Sequence, residues 1–373
     1  MATLRRSVQV QMTMENNSKA EVDLRALSLL VFCPERSAEA VHYVAGKGAS
    51  ERADFFRLAD DHHVVIRALQ PLQQQARAIG DAELAGLAQT VLDREHGRIS
   101  HALAGLERVC NELHAAGCAV TVIKTLDHWP DFGSDLDLFT MGDEHRVVHV
   151  LKNILGARRC MLTLSDRIAH KRSYAVPGLS EQVELHINRL GHVGEHIELA
   201  RRFITRRQAI NFIQYTFQLP APEERVIAAT LQRMYRSLCL RLCDVCNTAG
   251  LIDRHMLDFG ELRKAAEEAG IWTGVATFLT LVAGYVKKYR GDSLELPEYV
   301  TESASFGVER TFVRGKFFTF PAMPYGLSLY FRQLRHAAHR GDIPGTARLS
   351  LVPPLASIGA FAEAVIGNSD RVW

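Results

Sequence analysis

No apolar run in the 373-residue chain approaches the roughly 18 residues that a helical membrane span requires. The polar stretch from Met1 to Asp23 holds nothing like the apolar core of a secretion signal, so the expectation is a cytoplasmic protein with no membrane partner. Excess charge is also lacking. Lys and Arg number 44 against 42 Asp and Glu, and a net charge of +2 gives no bulk electrostatic case for wrapping a long nucleic acid. A disulfide framework is missing too: Cys33, Cys110, Cys118, Cys160, Cys239, Cys243 and Cys246 are an odd, scattered set that suits a reducing compartment. Cys243 and Cys246 have CxxC spacing, and Cys239 precedes Cys243 by one helical turn. The segment is apolar and helix-like with no second ligand pair, so packed helix cysteines are expected over zinc or redox chemistry. Internal repeats and low-complexity tracts are absent.

What is present reads as a globular chain, 47% hydrophobic and 23% charged, long enough for two or three units. Helical periodicity dominates residues 22–117. Leu24, Leu27, Leu30 and Val31 form one stripe, residues 55–72 suggest a second helix, and residues 81–116 predict one long helix or two, ended by Gly117. The period then changes. Residues 118–123 are a β-branched run, a loop holds Trp129 and Pro130, and 135–140 is a second strand. A helix over 144–155, extended pieces near 159–164 and 173–176, and an alternating strand over 181–187 follow. Helices are predicted again at 196–207, 222–248, 254–269, 272–289 and 327–339, with a loose segment over 296–325 and a final apolar stretch from Ile358 to Ile366. The expected fold class is α+β: a small mixed sheet (118–195) flanked by an N-terminal helical region (1–117) and a mainly helical C-terminal region (196–373).

Chemistry concentrates in Gly133-Ser-Asp-Leu-Asp-Leu-Phe139. Asp135 and Asp137, two apart in a strand, project from one face, and like charges so close call for a cation. An all-oxygen pair suits Mg²⁺ or Mn²⁺. The small Gly133-Ser134 step leaves room for a phosphate. Glu184, on a strand of its own, is the candidate third carboxylate. Such a site binds two ions and a nucleoside triphosphate, ATP among the candidates, for in-line attack by a hydroxyl and release of pyrophosphate. Lys124 ends the first strand and is a candidate triphosphate contact. Lys171 and Arg172 read either as further phosphate contacts or as an ordinary charged turn. His186 shares a face with Glu184 and is expected to orient it rather than bind a hard cation. Replacing Asp137 with Asn is expected to relieve like-charge repulsion.

In this order, Val-Ile-Lys124, Trp129-Pro130, Ser134-Asp-Leu-Asp137-Leu and Val-Glu184-Leu-His186, the chain resembles the nucleotidyltransferase superfamily with the polymerase-β-like fold. More narrowly, it is similar to a bacterial family of uncharacterised nucleotidyltransferases, loosely over residues 85–290 and specifically over 118–188. The resemblance implies that Asp135, Asp137 and Glu184 are the metal-binding and catalytic acids, and that Gly133 and Ser134 lie near phosphate. It implies a Mg²⁺-dependent transferase moving a nucleoside monophosphate to a hydroxyl acceptor, a small molecule ahead of a protein or RNA. Thr125 follows Lys124 where the narrow family usually has glycine, Asp131-Phe-Gly133 stands where it often has arginine, and Gly133-Ser134 touches Asp135 where the superfamily's Gly-Ser lies at a helix start well before the acids. These departures motivate an alternative: a fold that has lost its chemistry and serves as a binding or scaffold protein.

Other residues carry plainer expectations. Trp129 is expected to pack. His62-His63 and His192 with His196, four apart, are expected not to bind metal. Arg201-Arg202 with Arg206-Arg207 reads as a solvated basic face or as a surface for a phosphate-rich acceptor. The same holds for Arg310, Arg314 and Lys316 among Phe312, Phe317 and Phe318.

Overall fold

In a computed structural model of the chain, residues 19–33 and 36–355 are described; residues 1–18 and the stretch from Ile358 to Ile366 lie outside them. The class is α+β. Helices α1 (19–32), α2 (Ser37–Ala45), α3 (Ala49–Asp61), α4 (Val65–Ala78) and α5 (Ala82–Ala115) come first. The expected helix over 55–72 is two, because the chain breaks at His62-His63-Val64, with His63 at φ +51°. The 34-residue α5 starts on Asp81, whose Oδ1 accepts the Leu84 N–H at 3.0 Å. It stops at Gly117, whose φ of +75° is the left-handed conformation that ends helices. Its stripe of Leu84, Leu92, Ile99, Leu103, Leu106, Val109 and Leu113 is buried, as heptad-like spacing requires.

The five-stranded sheet contains β1 (Val120–Val122), β2 (Asp135–Thr140), β3 (Arg158–Arg159), β4 (Lys171–Ala175) and β5 (Gln182–Ile187), in the order β1-β2-β5-β4-β3. β2 and β5 are parallel neighbours at its centre, and the other pairings are antiparallel. Leu136, Leu138, Val183 and Leu185 alternate away from the acids and are fully buried. Helix α6 (Glu144–His149) runs on through a π-turn to Ile154. Two expectations shift here. Of the 159–164 piece only Arg159 is strand, because helix α7 (Leu164–Ile168) follows closely. Lys171 and Arg172 lie within β4 instead of before it.

Beyond residue 195 come α8 (Glu198–Thr205), the hairpin β6 (Gln208–Phe212) and β7 (Tyr215–Leu219), and α9 (Pro222–Gln232). The hairpin turns at Ile213-Gln214 without a glycine or proline to mark it. The expected helix over 222–248 is broken: α9 ends in a π-turn, strand β8 (Cys239–Leu240) follows, and α10 (Leu242–Asp253) restarts. The reason is a buried ion pair. Asp244 accepts from Arg233 Nε at 2.5 Å and from the Arg241 N–H at 3.3 Å, tying the end of the first segment to the start of the second. Cys239 is therefore strand, and only Cys243 and Cys246 share a helix; burial pushes the Cys246 thiol up to about 12. Helices α11 (Phe259–Glu268), α12 (Trp272–Arg290) and α13 (Glu298–Ser303) precede the hairpin of β9 (Phe312–Arg314) and β10 (Phe317–Thr319), which pairs with β8. Helices α14 (Leu327–His339) and α15 (Ile343–Leu349) follow. Ser28 on α1 meets the Tyr285 hydroxyl on α12 at 2.6 Å, so the first and later helices share one core.

Candidate functional site

The two central strands bring the acids together. In the parallel β2–β5 register Asp137 stands opposite Glu184, and Asp135 opposite Gln182, so Asp135, Asp137, Glu184 and His186 project from one face. Ligand atoms of Asp137, Glu184 and His186 lie within 4.8 Å of one another. Asp135, at the start of β2, shares that face and is not one of the three whose ligand atoms gather within 4.8 Å.

Two lysines flank the pair from opposite sides of the sheet order. Lys124, just after β1, donates from Nζ to Asp137 Oδ1 at 2.8 Å and stands 3.4 Å from His186 Nε2. Lys171 on β4 pairs across the strand with His186, is 4% exposed, and donates to Glu184 Oε1 at 2.7 Å. Arg172 points to the other face and holds Glu144 at 2.6 and 2.9 Å, an ion pair away from the acids. His186 Nε2 approaches Glu184 Oε1 at 2.9 Å, as expected of an orienting group.

Lys124 reaches Asp137 from a strained backbone. Its φ/ψ of +60°/−55°, with the Thr125 N–H on Ile123 O at 2.6 Å, is a classic γ-turn, a rare conformation for any non-glycine residue. Thr125 closes the arrangement: its hydroxyl donates to Asp135 O at 3.2 Å and accepts the Asp137 N–H at 2.8 Å. The threonine that follows Lys124 thus pins the acidic strand.

Charge states differ among the acids. Burial raises Asp135 to about 6, helped by the Asp137 and Glu184 charges. Burial pushes Asp137 upward as well, but the Lys124 ammonium and the His186 hydrogen bond outweigh it and hold the carboxyl below its ordinary value. The same contest at Glu184 is won by Lys171 and His186, which hold it well below the carboxylate range.

Gly133 and Ser134 lie on the strand's approach. Ser134 Oγ donates to Asp135 Oδ2 at 3.3 Å. A Cβ at Gly133 would meet His63 at an ordinary 3.8 Å, so nothing there demands glycine. Arg98 on α5, which the sequence reading missed, holds this loop. It donates to Gly133 O at 3.1 Å, Phe132 O at 3.3 Å, Glu181 at 2.8 Å and Glu95 at 2.6 Å. Its only signal was the Glu95–Arg98 spacing of three. Arg98→Met leaves the Glu181 carboxylate, 3% exposed, without its cation, and is expected to cost about 3 kcal/mol in a denaturant titration. Unchanged stability would show that the loop holds itself.

The remaining candidates settle elsewhere. Trp129 packs edge-on against Phe212 at 5.6 Å. His192 and His196 are not on a helix, since Leu190 and His196 form an antiparallel bridge, and His196 meets Gln333 at 2.9 Å. His62 and His63 lie among Arg241, Leu242 and Lys316. The Arg202–Arg206 face is an ion-pair network with Glu223, Glu224 and Glu261 at 2.6–2.8 Å, not a free phosphate surface. Lys316 pairs with Asp61 at 2.8 Å, and Phe317 packs on His62.

No protein-family model and no curated protein matches the chain. Among the described residues no helix is long and apolar enough to cross a membrane. The class the structure defines is α+β, with an acidic pair on the two central parallel strands of a small mixed sheet.

Proposed function

We propose that the protein is a divalent-metal-dependent nucleotidyltransferase, moving a nucleoside monophosphate from a nucleoside triphosphate to a hydroxyl acceptor with release of pyrophosphate. The observation that carries this reading is the in-register pairing of Asp137 with Glu184 on one face of parallel strands, flanked by two lysines. The donor set fits a hard cation. Among the described residues Asp137 Oδ2 and Glu184 Oε2 accept no hydrogen bond, while the other oxygen of each carboxylate is held by lysine. Mg²⁺ or Mn²⁺ bound there would neutralise charge on the transferred phosphate and its leaving group.

The chain's own residues divide the remaining work. Asp137 and Glu184, held ionised, keep negative charge on the metal side. Asp135, on the same face as Asp137 and Glu184 at the start of β2, accepts the proton of the attacking hydroxyl. The hydroxyl oxygen forms the new bond to the α-phosphorus, the bond from that phosphorus to the bridging oxygen breaks, and pyrophosphate leaves. Lys124 and Lys171 hold its charge as point cations. Ser134, at the entrance to β2, is placed to meet phosphate with its hydroxyl.

Incubating the protein with each of the four labelled triphosphates, Mg²⁺ or Mn²⁺ and a panel of small hydroxyl acceptors tests this. Metal-dependent pyrophosphate release with label on the acceptor is expected. A second reading has its own observation: each carboxylate already owns a lysine, so the acid pair is neutral enough to persist without metal, as in a scaffold that has lost chemistry. Absence of both Mg²⁺-dependent triphosphate binding by calorimetry and pyrophosphate release would favour it.

A further inference from the structure

Helix α12 begins without a cap. Ile271 stands at its N-cap position and has no oxygen in its side chain, and no acid lies in the first turn. The Trp272 and Thr273 N–H groups have no acceptor among the described residues. A 19-residue helix so begun leaves unmet donors at the positive end of its dipole. Trp272 adds another: it is 9% exposed, and its indole Nε1 is buried with no acceptor.

Trp272 and Thr273 line a cavity of about 380 Å³ with four basic residues of α14, Arg332, Arg335, His336 and His339. Their spacings of three and four put those four on one face of the helix. His336 ties the two walls together: its Nε2 meets Glu268 O at 3.2 Å, and a Cβ on Gly270, which has φ +71°, would lie 2.6 Å from its ring. Arg332, Arg335 and His339 have no hydrogen bond or ion pair among the described residues. Glu267 is the acid among the lining residues, and Arg263 already holds it at 2.7 Å. The unspent groups around the cavity are therefore mostly donors and cations: two guanidinium forks, the indole N–H, the Thr273 hydroxyl and two main-chain N–H groups. An oxyanion satisfies such a set. Phosphate presents more oxygens than a carboxylate does, and each guanidinium fork takes them two at a time.

We propose that this cavity binds a phosphate group, free or as a monoester, between Arg332 and Arg335 of α14 and the first turn of α12. The site shares no lining residue with the Asp137–Glu184 pair. It stands whether or not the protein transfers nucleotides.

Phosphorus NMR titrations of the full chain with inorganic phosphate and with glycerol 3-phosphate, without metal and at constant ionic strength, test the assignment. The wild type is expected to bind at least one of them, and the tighter of the two tells whether the group arrives free or esterified. Arg332→Ala/Arg335→Ala is expected to weaken that binding at least about tenfold, because both forks are lost. Arg158→Ala/Arg159→Ala removes the same charge from the exposed strand β3 and is expected to leave it unchanged. Binding of neither probe by the wild type overturns the proposal. So does wild-type affinity in the folded Arg332→Ala/Arg335→Ala protein, and so does an equal loss in both double variants, which would make the attraction one of bulk charge. If the alanine pair does not fold, Arg332→Gln/Arg335→Gln decides by the same criterion.

Discussion

Asp137→Asn is expected to reduce nucleotidyl transfer by at least about 10³-fold, equivalent to about 4 kcal/mol of barrier. Asp137 is the acid that stands opposite Glu184 in the register and shares the 4.8 Å ligand group with it and His186. Asparagine keeps the shape and still offers Lys124 an oxygen, but removes the charge that a hard cation requires. The fold should survive with a modest loss of stability, about 1–2 kcal/mol, because the pair is mostly buried while the amide oxygen keeps a hydrogen bond from Lys124. The sign matters, because carboxylate repulsion considered alone predicts a gain. In the folded protein Lys124 and His186 hold Asp137 below its ordinary pKa, so its charge stabilises the native state and its removal costs a little. Pyrophosphate release, the Mg²⁺-dependent shift in melting temperature and the metal-free melting temperature together check this. Undiminished turnover would take Asp137 out of the mechanism, and a clearly higher metal-free melting temperature would show that repulsion dominates after all.

The second large effect concerns acid. His62 is wholly buried between two backbone groups: its Nδ1 accepts the Leu242 N–H at 3.0 Å and its Nε2 faces Lys316 O at 2.8 Å. Only the neutral ring with its proton on Nε2 satisfies both. His128 Nδ1 is likewise an acceptor, taking an Asn247 side-chain N–H at 2.8 Å. Burial lowers both to about 4. A histidine with a depressed folded pKa contributes stability that is complete above the unfolded value of 6.5 and is lost as pH falls toward 4. Each should therefore remove about 2 kcal/mol between pH 7 and pH 5. Asp131, raised to about 7 by burial, acts in the opposite direction over the same range, so the test is a difference between proteins. Denaturant titrations of wild type and His62→Gln should show a stability gap that shrinks by about 2 kcal/mol from pH 7 to pH 5, and by about twice that in the His62→Gln/His128→Gln double variant. A gap that does not change with pH would mean that these rings protonate without strain in the folded protein.

Both predictions join residues that no sequence window contains. His62 is 180 residues from Leu242 and 254 from Lys316, and Lys171 reaches Glu184 only because β4 and β5 are antiparallel neighbours. Periodicity reads what is repeated locally. It therefore reached α5 from its stripe and its closing Gly117, α14 over 327–339, and the strands carrying Asp137 and Glu184. It failed where a long-range contact overrides the local pattern. The Arg233–Asp244 pair broke an apolar run that reads as one helix, and the β6–β7 hairpin turns through Ile213-Gln214 with no turn residue to announce it.

Within the site the division is the same. Sequence by itself determined that Asp135 and Asp137 face one way, because alternate residues of a strand do, and that Glu184 and His186 share a face on another strand. Only the tertiary structure decided that those two faces are the same face, since parallel pairing and register are set by turns and packing outside both strands. It also decided which acids are ionised. Lysines from β4 and from the turn after β1 hold Asp137 and Glu184 low, while Asp135, without such a partner, is raised to about 6. A carboxylate's proton affinity depends on the charges and solvent around it in space, and those neighbours come from wherever the fold brings them.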